Sequence, residues 1–198
     1  VNDKFSIGVN FSVAHSRNRR SFNDNTYTGI ITNALGADPL MPPYDADGNY
    51  SDYTLYHTSW LSDNPMKSAK EIRAITTGNR LLASVFAEYK FTDALKFRTS
   101  WSTDYNSMGD DQFFSPLTTD ASAVSGRALK STFEQLTWLN ENILTYNRKF
   151  QRSTLNAIAG YTMQVTRSQQ TNIAGQGFPI GSGLENISSA ALITAAGA

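Results

Sequence analysis

The acidic stretch Asp45-Ala46-Asp47-Gly48-Asn49 has the residue types of a calcium-binding loop. An EF-hand loop needs oxygen ligands at positions 1, 3 and 5, a glycine at position 6 and a glutamate at position 12. Counted from Asp45, the glycine stands at position 4 and Tyr56 stands at position 12. We therefore expect no metal here, although a looser calcium site at Asp45 and Asp47 is the alternative. An Asp-Gly turn is favoured, because glycine tolerates a positive φ angle.

The sequence offers few groups for catalysis. It contains no cysteine, which excludes disulfides, thiolate metal sites and cysteine nucleophiles. His15 and His57 lie far apart without the spacing of metal ligands, and no serine occupies a Gly-x-Ser-x-Gly motif. Asp110 and Asp111 are adjacent, so in an extended chain their carboxylates point apart and do not form a catalytic pair. We therefore expect neither an enzyme nor a bound cofactor.

Five aromatic residues surround the acidic turn and are candidates for contacting a ligand or a partner. Their rings could stack on a sugar or pack against a partner protein that acts as a lid. The alternative is that the rings pack among themselves and hold a long loop together. The sequence leaves both interpretations open. The five residues are Tyr44, Tyr50, Tyr53, Tyr56 and Trp60.

Four segments of the chain alternate between apolar and polar residues with a period of two. This pattern is typical of β-strands that have one apolar face. A fifth strand, from about Arg127 to Tyr146, alternates less cleanly. The sequence therefore predicts an all-β, antiparallel protein. The four alternating segments run from Lys4 to His15, from Leu81 to Phe91, from Leu95 to Tyr105 and from Leu155 to Val165.

The connections between these strands alternate between long and short along the chain. The short ones are residues 92–94 and 147–153, and the long ones are residues 16–78, 106–126 and everything after Arg167. Transmembrane β-barrels of the outer membrane sort their connections in this way, with short periplasmic turns and long extracellular loops. Since a barrel needs about eight strands to close, five strands would form only a segment of a larger barrel.

The polar faces of the same strands would look into the lumen of such a barrel. We expect Glu88, Lys96, Arg98 and Asp104 to face the lumen or the domain that fills it. The short turn at residues 92–94 also predicts that Phe91 and Leu95 face each other and that Glu88 pairs with Arg98 across the hairpin.

The amino-acid composition argues against nucleic acid as a binding partner. With 17 basic and 17 acidic residues the formal charge is zero, so no basic surface for nucleic acid is expected. No apolar run approaches the roughly 20 residues of a membrane-spanning helix. The alternative to a membrane barrel is a soluble, secreted β-sandwich that binds carbohydrate. That alternative predicts a chain that folds as a soluble monomer.

Several short motifs occur in a characteristic order along nearly the whole chain. Each motif is common by itself, and the order is what carries the likeness. On these motifs the chain resembles the SusC/RagA family of TonB-linked outer-membrane proteins. The motifs are FSIGVNFSVAHS, NALGADPLMPPYDADGNY, the dipeptide Asn64-Pro65, NRLLASVFAEYKFTDALKFRTSWSTDY, FFSPLT, ENILTYNRKFQRSTLNAIAGY and GFP at residues 177–179.

The resemblance implies a nutrient transporter in the outer membrane of a Gram-negative bacterium. Family members are TonB-dependent barrels of about 22 strands with an N-terminal plug, and they import glycan or peptide fragments. A SusD-like surface lipoprotein lids the barrel and TonB supplies the energy. Residues 1–198 show no signal peptide, TonB box or plug. The resemblance therefore implies that they form part of one receptor β-barrel domain, taken from its middle.

Overall fold

The computed structural model describes residues 3–23, 25, 28–52, 63–179, 181 and 183–197. Within these residues the protein consists mainly of long strands, and its helices are short. None of the described helices has the length and apolar character that a membrane-spanning helix requires. The strands are β1 (Phe5–Arg19), β2 (Ile72–Lys90), β3 (Leu95–Phe114), β4 (Arg127–Lys149), β5 (Thr154–Gln176) and β6 (Leu192–Gly197). The helices are α1 (Ile30–Gly36), α2 (Pro65–Glu71) and α3 (Thr119–Ser122), with a 3₁₀ turn at Ile187–Ser189.

The six strands form one antiparallel sheet in which each strand pairs with its neighbours in sequence. The prediction of an all-β antiparallel fold is confirmed. A two-sheet sandwich would need a second sheet, and the described residues form a single one. The sandwich alternative is therefore not supported.

The sheet has one strand more than the sequence predicted. β6 pairs with the end of β5, with Thr171 opposite Gly197 and Gln176 opposite Leu192. The expectation that everything after Arg167 is a long connection is therefore wrong. The missed strand has the sequence Leu-Ile-Thr-Ala-Ala-Gly, which does not alternate between apolar and polar residues. The hydrogen-bonded ladder needs only backbone groups, so a strand can form where that alternation is missing.

The other strands also continue beyond their alternating segments. β2 begins at Ile72 rather than near Leu81, and β3 ends at Phe114 rather than at Tyr105. Apolar alternation marks only the part of a strand that has one apolar face. The long connections are consequently shorter than predicted, although long and short connections still alternate along the chain as expected.

Contacts between Cα atoms divide the chain into two compact units. The first unit consists of Val1–His15, Gly78–Ser107 and Phe133–Gln169. The second unit consists of Ser16–Thr77, Met108–Thr132 and Gln170–Ala198.

The first unit is a sheet whose apolar face is exposed. Val9 and Phe11 are 70% and 71% exposed, and Ile7 and Val13 are also largely exposed. On the same face the indole rings of Trp101 and Trp138 stack with 5.8 Å between their centroids. None of the buried apolar residues of the described chain lies in this unit. The first unit therefore presents apolar side chains without a core of its own to bury them.

The second unit contains two small hydrophobic clusters, and adjacent residues of β3 supply their centres. The side chain of Phe114 packs with Ile72 and Ala121, whereas that of Phe113 packs with Ala128 and Phe178. Neighbouring residues of a strand point to opposite faces, which explains why Phe113 and Phe114 enter different clusters. Each ring makes an edge-on contact with a second phenylalanine at 5.1 Å, Phe22 for Phe114 and Phe178 for Phe113.

The hairpin of β2 and β3 has the predicted turn but a different pairing of side chains. The Phe91 N–H donates to the Leu95 carbonyl over 2.9 Å, so these residues face each other as expected. The Glu88 carboxylate, however, accepts a hydrogen bond from Lys96 Nζ at 3.4 Å rather than from Arg98. The predicted Glu88–Arg98 pair is therefore wrong. Long side chains on a twisted sheet reach diagonal neighbours as well as direct ones, and here the diagonal neighbour is the partner.

Candidate functional site

The acidic turn of the second unit is the tip of a small hairpin. Tyr44 and Tyr50 form an antiparallel β-bridge, and their rings lie 5.5 Å apart at an angle of 30°. Between them the Asp45 N–H donates to the Asn49 carbonyl over 2.9 Å, and the Gly48 N–H donates to the Asp45 carbonyl over 3.1 Å. Two of the five predicted aromatic residues are thus brought together, in a ring-to-ring contact.

The Asp45 carboxylate stabilises the hairpin by accepting hydrogen bonds from the backbone of the turn. Its Oδ1 accepts the N–H groups of Asp47 at 3.0 Å and of Asn49 at 2.8 Å. Gly48 has a φ of +85°, which a side chain would disfavour. The Asp-Gly turn is therefore confirmed, and the chemistry of Asp45 is that of an Asx turn. The described residues include no group of three His, Cys, Asp or Glu side chains that could hold a metal.

Helix α2 fixes the two tyrosines from one side. The Tyr50 hydroxyl donates a hydrogen bond of 2.8 Å to Glu71 Oε1, and Lys70 Nζ lies 5.3 Å from the centre of the Tyr44 ring. The pKa of Tyr50 is raised above its ordinary value, first because burial disfavours the phenolate. The hydrogen bond to Glu71 and the negative charge of that carboxylate raise it further. Tyr50 is therefore a neutral hydrogen-bond donor and is unsuited to act as a base.

Asn64 joins the hairpin to the start of α2. Its side chain Oδ1 accepts the Met66 N–H at 2.9 Å, which caps the helix. Its Nδ2 donates to the carbonyls of Pro43 at 2.8 Å and Ser51 at 3.2 Å, one on each arm of the hairpin. Because Asn64 is only 1% exposed, these bonds are shielded from water. One buried amide therefore fixes both the helix and the base of the hairpin.

Asp63, the residue before Asn64, connects the start of α2 to α3. Its carboxylate is buried, pairs with Lys67 and accepts the Thr119 N–H at 3.1 Å. Sequence reasoning did not single out Asp63 and Asn64 as site residues. A signal was present, because an asparagine before a proline marks the N-cap and first position of a helix. What the sequence could not show is that the same amide would reach the hairpin.

The hairpin and the start of α2 border a cleft of about 600 Å³. The cleft is lined by aromatic, amide and charged groups, which suit hydrogen bonding and ring stacking with a polar ligand. The lining includes Tyr44, Asn49, Tyr50, Ser51, Asp52 and Lys67. Tyr53, Tyr56 and Trp60 lie outside the described residues.

The chain has a relative in sequence and several solved structures with a similar fold among known proteins. No protein-family model matches the sequence. The TonB-dependent receptor P3 of Formosa agariphila is 28% identical over 178 residues, which is 85% of this chain and 17% of the receptor. The solved RagAB peptide transporter covers 100% of this chain with a TM-score of 0.76 and 18% identity. The RagAB peptide importer in its open-open state gives a TM-score of 0.75 and 17% identity.

The chain is similar in sequence to a TonB-dependent receptor and in fold to RagAB. Its antiparallel sheet matches a β-barrel segment of RagA-like transporters. The chain spans 23% of the RagAB chains that it matches and 17% of the receptor. The names of these relatives describe a receptor and a transporter, and none of them names an enzyme.

The residues predicted to face a lumen lie on the polar face of the first unit. Glu88 pairs with Lys96, and the Arg98 guanidinium lies 3.9 Å from the centre of the Phe86 ring. Asp104 accepts two hydrogen bonds from Arg80, of 2.8 and 3.1 Å. Each predicted charge therefore has a partner within the sheet, and their lumenal position stays a prediction.

The adjacent aspartates of β3 take separate partners in the second unit. Asp110 pairs with Arg20 and accepts the Thr76 hydroxyl at 2.8 Å, whereas Asp111 lies 3.8 Å from Arg73. The expectation that these two carboxylates point apart is confirmed, and each carries out a structural role in an ion pair.

Proposed function

We propose that this SusC/RagA-like chain is part of an outer-membrane, TonB-dependent transporter that imports glycan or peptide fragments into a Gram-negative bacterium. The observation that carries the proposal is the exposed apolar face of the first unit, which has no core of its own. In this proposal, residues 1–198 belong to one β-barrel domain whose plug is formed elsewhere in the longer protein.

A bilayer is the environment that suits such a face. Contiguous apolar surface on a water-exposed sheet promotes aggregation. In a transmembrane barrel the same surface meets lipid, and every second residue of a strand faces outward. Val9, Phe11, Val85 and Trp101 would then contact acyl chains, while Glu88, Lys96, Arg98 and Asp104 would face the lumen.

The hairpin from Tyr44 to Tyr50 is the proposed contact for substrate or partner. Its backbone is fixed by Asp45 and Asn64, so it forms a pre-organised surface that loses little entropy on binding. The cleft beside it offers rings and hydrogen-bonding groups, and binding would break no covalent bond. Tyr53, Tyr56 and Trp60 are proposed to contribute from the segment that follows.

The proposed partners come from the solved neighbours and the family resemblance. RagAB is described as a peptide importer, which supports import as the activity and favours peptide fragments as one substrate class. A SusD-like surface lipoprotein would lid the barrel from the side of the long connections. TonB would act on parts of the longer protein.

The test uses the full-length receptor in its native host. Uptake is measured with a labelled peptide mixture and a labelled oligosaccharide mixture in the wild type, in a deletion strain and in the variant Tyr44→Ala/Tyr50→Ala. We expect deletion to abolish uptake of one mixture, and the double variant to lower it about tenfold at limiting concentration, equivalent to about 1.4 kcal/mol of binding.

Controls separate the two parts of the proposal. The variant Tyr50→Phe keeps the ring and loses only the hydrogen bond to Glu71, so it should retain most of the uptake. Surface quantities of all variants are compared by antibody labelling. Unchanged uptake of both mixtures in the deletion strain would refute transport. Normal uptake by the double variant would refute only the role of the hairpin.

A further inference from the structure

The turn of the hairpin contains Asp47-Gly48, the single Asp-Gly dipeptide of the sequence, and no Asn-Gly dipeptide occurs elsewhere. An aspartate before a glycine is chemically labile, because the backbone nitrogen of the glycine can attack the side-chain carbonyl carbon of the aspartate. Glycine has no Cβ to obstruct that approach. Every other aspartate of the sequence precedes a residue that carries a side chain. Asp47 is therefore the position at which this reaction is least hindered.

The structure leaves room for the reaction at this dipeptide. Asp47 and Gly48 are both exposed. A Cβ atom built on Gly48 would meet no atom within 4 Å, so the space beside the Gly48 Cα is open. The hydrogen bond described for Asp47 uses its backbone N–H rather than its carboxylate.

Asp45 restrains the nitrogen atom that would react. The Gly48 N–H donates to the Asp45 carbonyl over 3.1 Å, and Asp45 Oδ1 accepts the N–H groups of the residues on either side, Asp47 at 3.0 Å and Asn49 at 2.8 Å. The Gly48 nitrogen has to leave this hydrogen bond before it can turn towards the Asp47 side chain. The reaction therefore proceeds from an open form of the hairpin, and the contacts of Asp45 keep that form rare.

We propose that Asp47-Gly48 is a site of spontaneous aspartate isomerisation and that the hydrogen bonds of Asp45 slow it. The Gly48 nitrogen forms a bond to the side-chain carbonyl carbon of protonated Asp47. The carboxyl C–O bond breaks, and the hydroxyl group leaves as water with the proton of the N–H, which gives a succinimide. Water then opens the ring. Attack at the main-chain carbonyl gives isoaspartate, and attack at the side-chain carbonyl restores aspartate.

Isomerisation would alter the hairpin, because isoaspartate adds a methylene carbon to the main chain of the turn. The Asp45 N–H donates to the Asn49 carbonyl over 2.9 Å, and Tyr44 and Tyr50 form the bridge next to this bond. Both contacts need the present length of the turn. The isomerised hairpin therefore loses this pairing. The chemistry itself is independent of the proposed transport.

The experiment uses the full-length protein in micelles, incubated in heavy-oxygen water. Each passage through the succinimide introduces heavy oxygen at residue 47, which mass spectrometry of proteolytic fragments detects, and isoaspartyl methyltransferase counts the isoaspartate. The wild type is compared with Asp45→Ala, Asp45→Asn and Asp47→Glu. A synthetic peptide of residues 42–52 gives the rate for the unrestrained dipeptide.

We expect the free peptide to isomerise fastest and the wild-type protein more slowly. Asp45→Ala should isomerise about 5- to 30-fold faster than the wild type, because its hairpin opens more often. Asp45→Asn keeps the acceptor oxygen and should match the wild type. Asp47→Glu should gain no heavy oxygen at residue 47, since its longer side chain would have to close a larger ring. Asp45-Ala46 is the internal control of the wild-type protein and should stay unlabelled.

Two results would overturn the proposal. One is an absence of label at Asp47 in both the wild type and Asp45→Ala under conditions in which the free peptide isomerises, because the dipeptide would then not react in the protein. The other is an equal rate in the wild-type protein and the free peptide, because the hydrogen bonds of Asp45 would then provide no restraint. The second comparison needs no variant, so it holds even if Asp45→Ala fails to fold.

Discussion

The ring of Phe86 occupies the space into which a side chain at Gly8 would project. A Cβ atom built on Gly8 would lie 2.3 Å from Phe86 Cε1 and 2.6 Å from Cζ. The Arg98 guanidinium lies over the same ring at 3.9 Å. The aromatic ring is therefore held between the backbone of β1 and a cation from β3, in a position that only glycine permits.

The first prediction is that Gly8→Ala destabilises the sheet. The added methyl group displaces the ring of Phe86 and disturbs its contact with Arg98, at a cost of about 1–2 kcal/mol. Gly160→Ala is the matched control, because its new Cβ would meet no atom closer than 3.5 Å. Urea unfolding of the full-length protein in micelles measures both. In Phe86→Ala the Gly8→Ala substitution should be nearly neutral, and equal costs in both backgrounds would contradict the argument.

The second prediction concerns the Asx turn. Asp45→Ala removes the acceptor for two backbone N–H groups and should destabilise the hairpin by about 1–2 kcal/mol. Asp45→Asn keeps the acceptor oxygen and should be nearly neutral. Asp47→Ala is the control on the same turn, since the contact described for Asp47 uses its backbone N–H. Limited proteolysis of the folded protein at residues 43–52 reports the result, and equal cleavage of all three variants would refute the prediction.

The third prediction is a pH dependence at Tyr50. Its pKa is raised in the folded protein by burial and by Glu71, so above about pH 10 the unfolded chain loses this proton before the folded chain does. The stabilisation from Tyr50 is therefore complete below about pH 10 and decreases as the pH rises beyond it. The difference in unfolding free energy between the wild type and Tyr50→Phe should shrink over that range. If this difference instead grows with pH, the pKa of Tyr50 is not raised in the folded protein and the prediction is wrong.

The strands that have one apolar face were predictable from the sequence, because burying one face requires apolar and polar residues to alternate. Strands with one apolar face alternate with a period of two, and this locates the apolar segments of β1, β2, β3 and β5. The ends of β2 and β3 and the whole of β6 were not predictable. Their pairing depends on backbone hydrogen bonds to neighbours, which leave no side-chain period.

The site was predictable only where its chemistry is local. The turn follows from the dipeptide Asp47-Gly48, because glycine tolerates the φ of +85° that Gly48 adopts. The hydrogen bonds that Asp45 accepts within the turn also lie within five residues of the sequence. The contacts of Tyr50 with Glu71 and of Asn64 with Pro43 each span 21 residues. Such contacts depend on the tertiary structure of the chain, so neither residue type nor spacing predicts them.

The fourth prediction separates the two roles of Asn64. Asn64→Asp keeps an oxygen that can cap α2 but loses the donor to the Pro43 and Ser51 carbonyls. We expect a loss of about 1–3 kcal/mol, because the Ser51 carbonyl loses the Asn64 donor in a buried position, while the Pro43 carbonyl keeps only the Ser51 N–H. Hydrogen exchange should rise for residues 43–52 while α2 stays protected. Asn64→Ala removes both roles and should expose both segments. Similar protection patterns for the two variants would show that the hairpin contact is not independent of the cap.

The fifth prediction tests the proposal that the apolar face of the first unit meets lipid. Val85 is 39% exposed on the apolar face, where it lines a groove with Val9, Trp101 and Trp138. If it lies near the bilayer midplane, Val85→Arg should cost about 2–4 kcal/mol, because a guanidinium in hydrocarbon loses its hydration. Ser102→Arg is the control, since Ser102 belongs to the polar face and its substitution should be tolerated. Folding of the full-length protein into vesicles, followed by urea titration, measures both changes. A harmless Val85→Arg together with a damaging Ser102→Arg would mean that the two faces of the sheet are assigned the wrong way round.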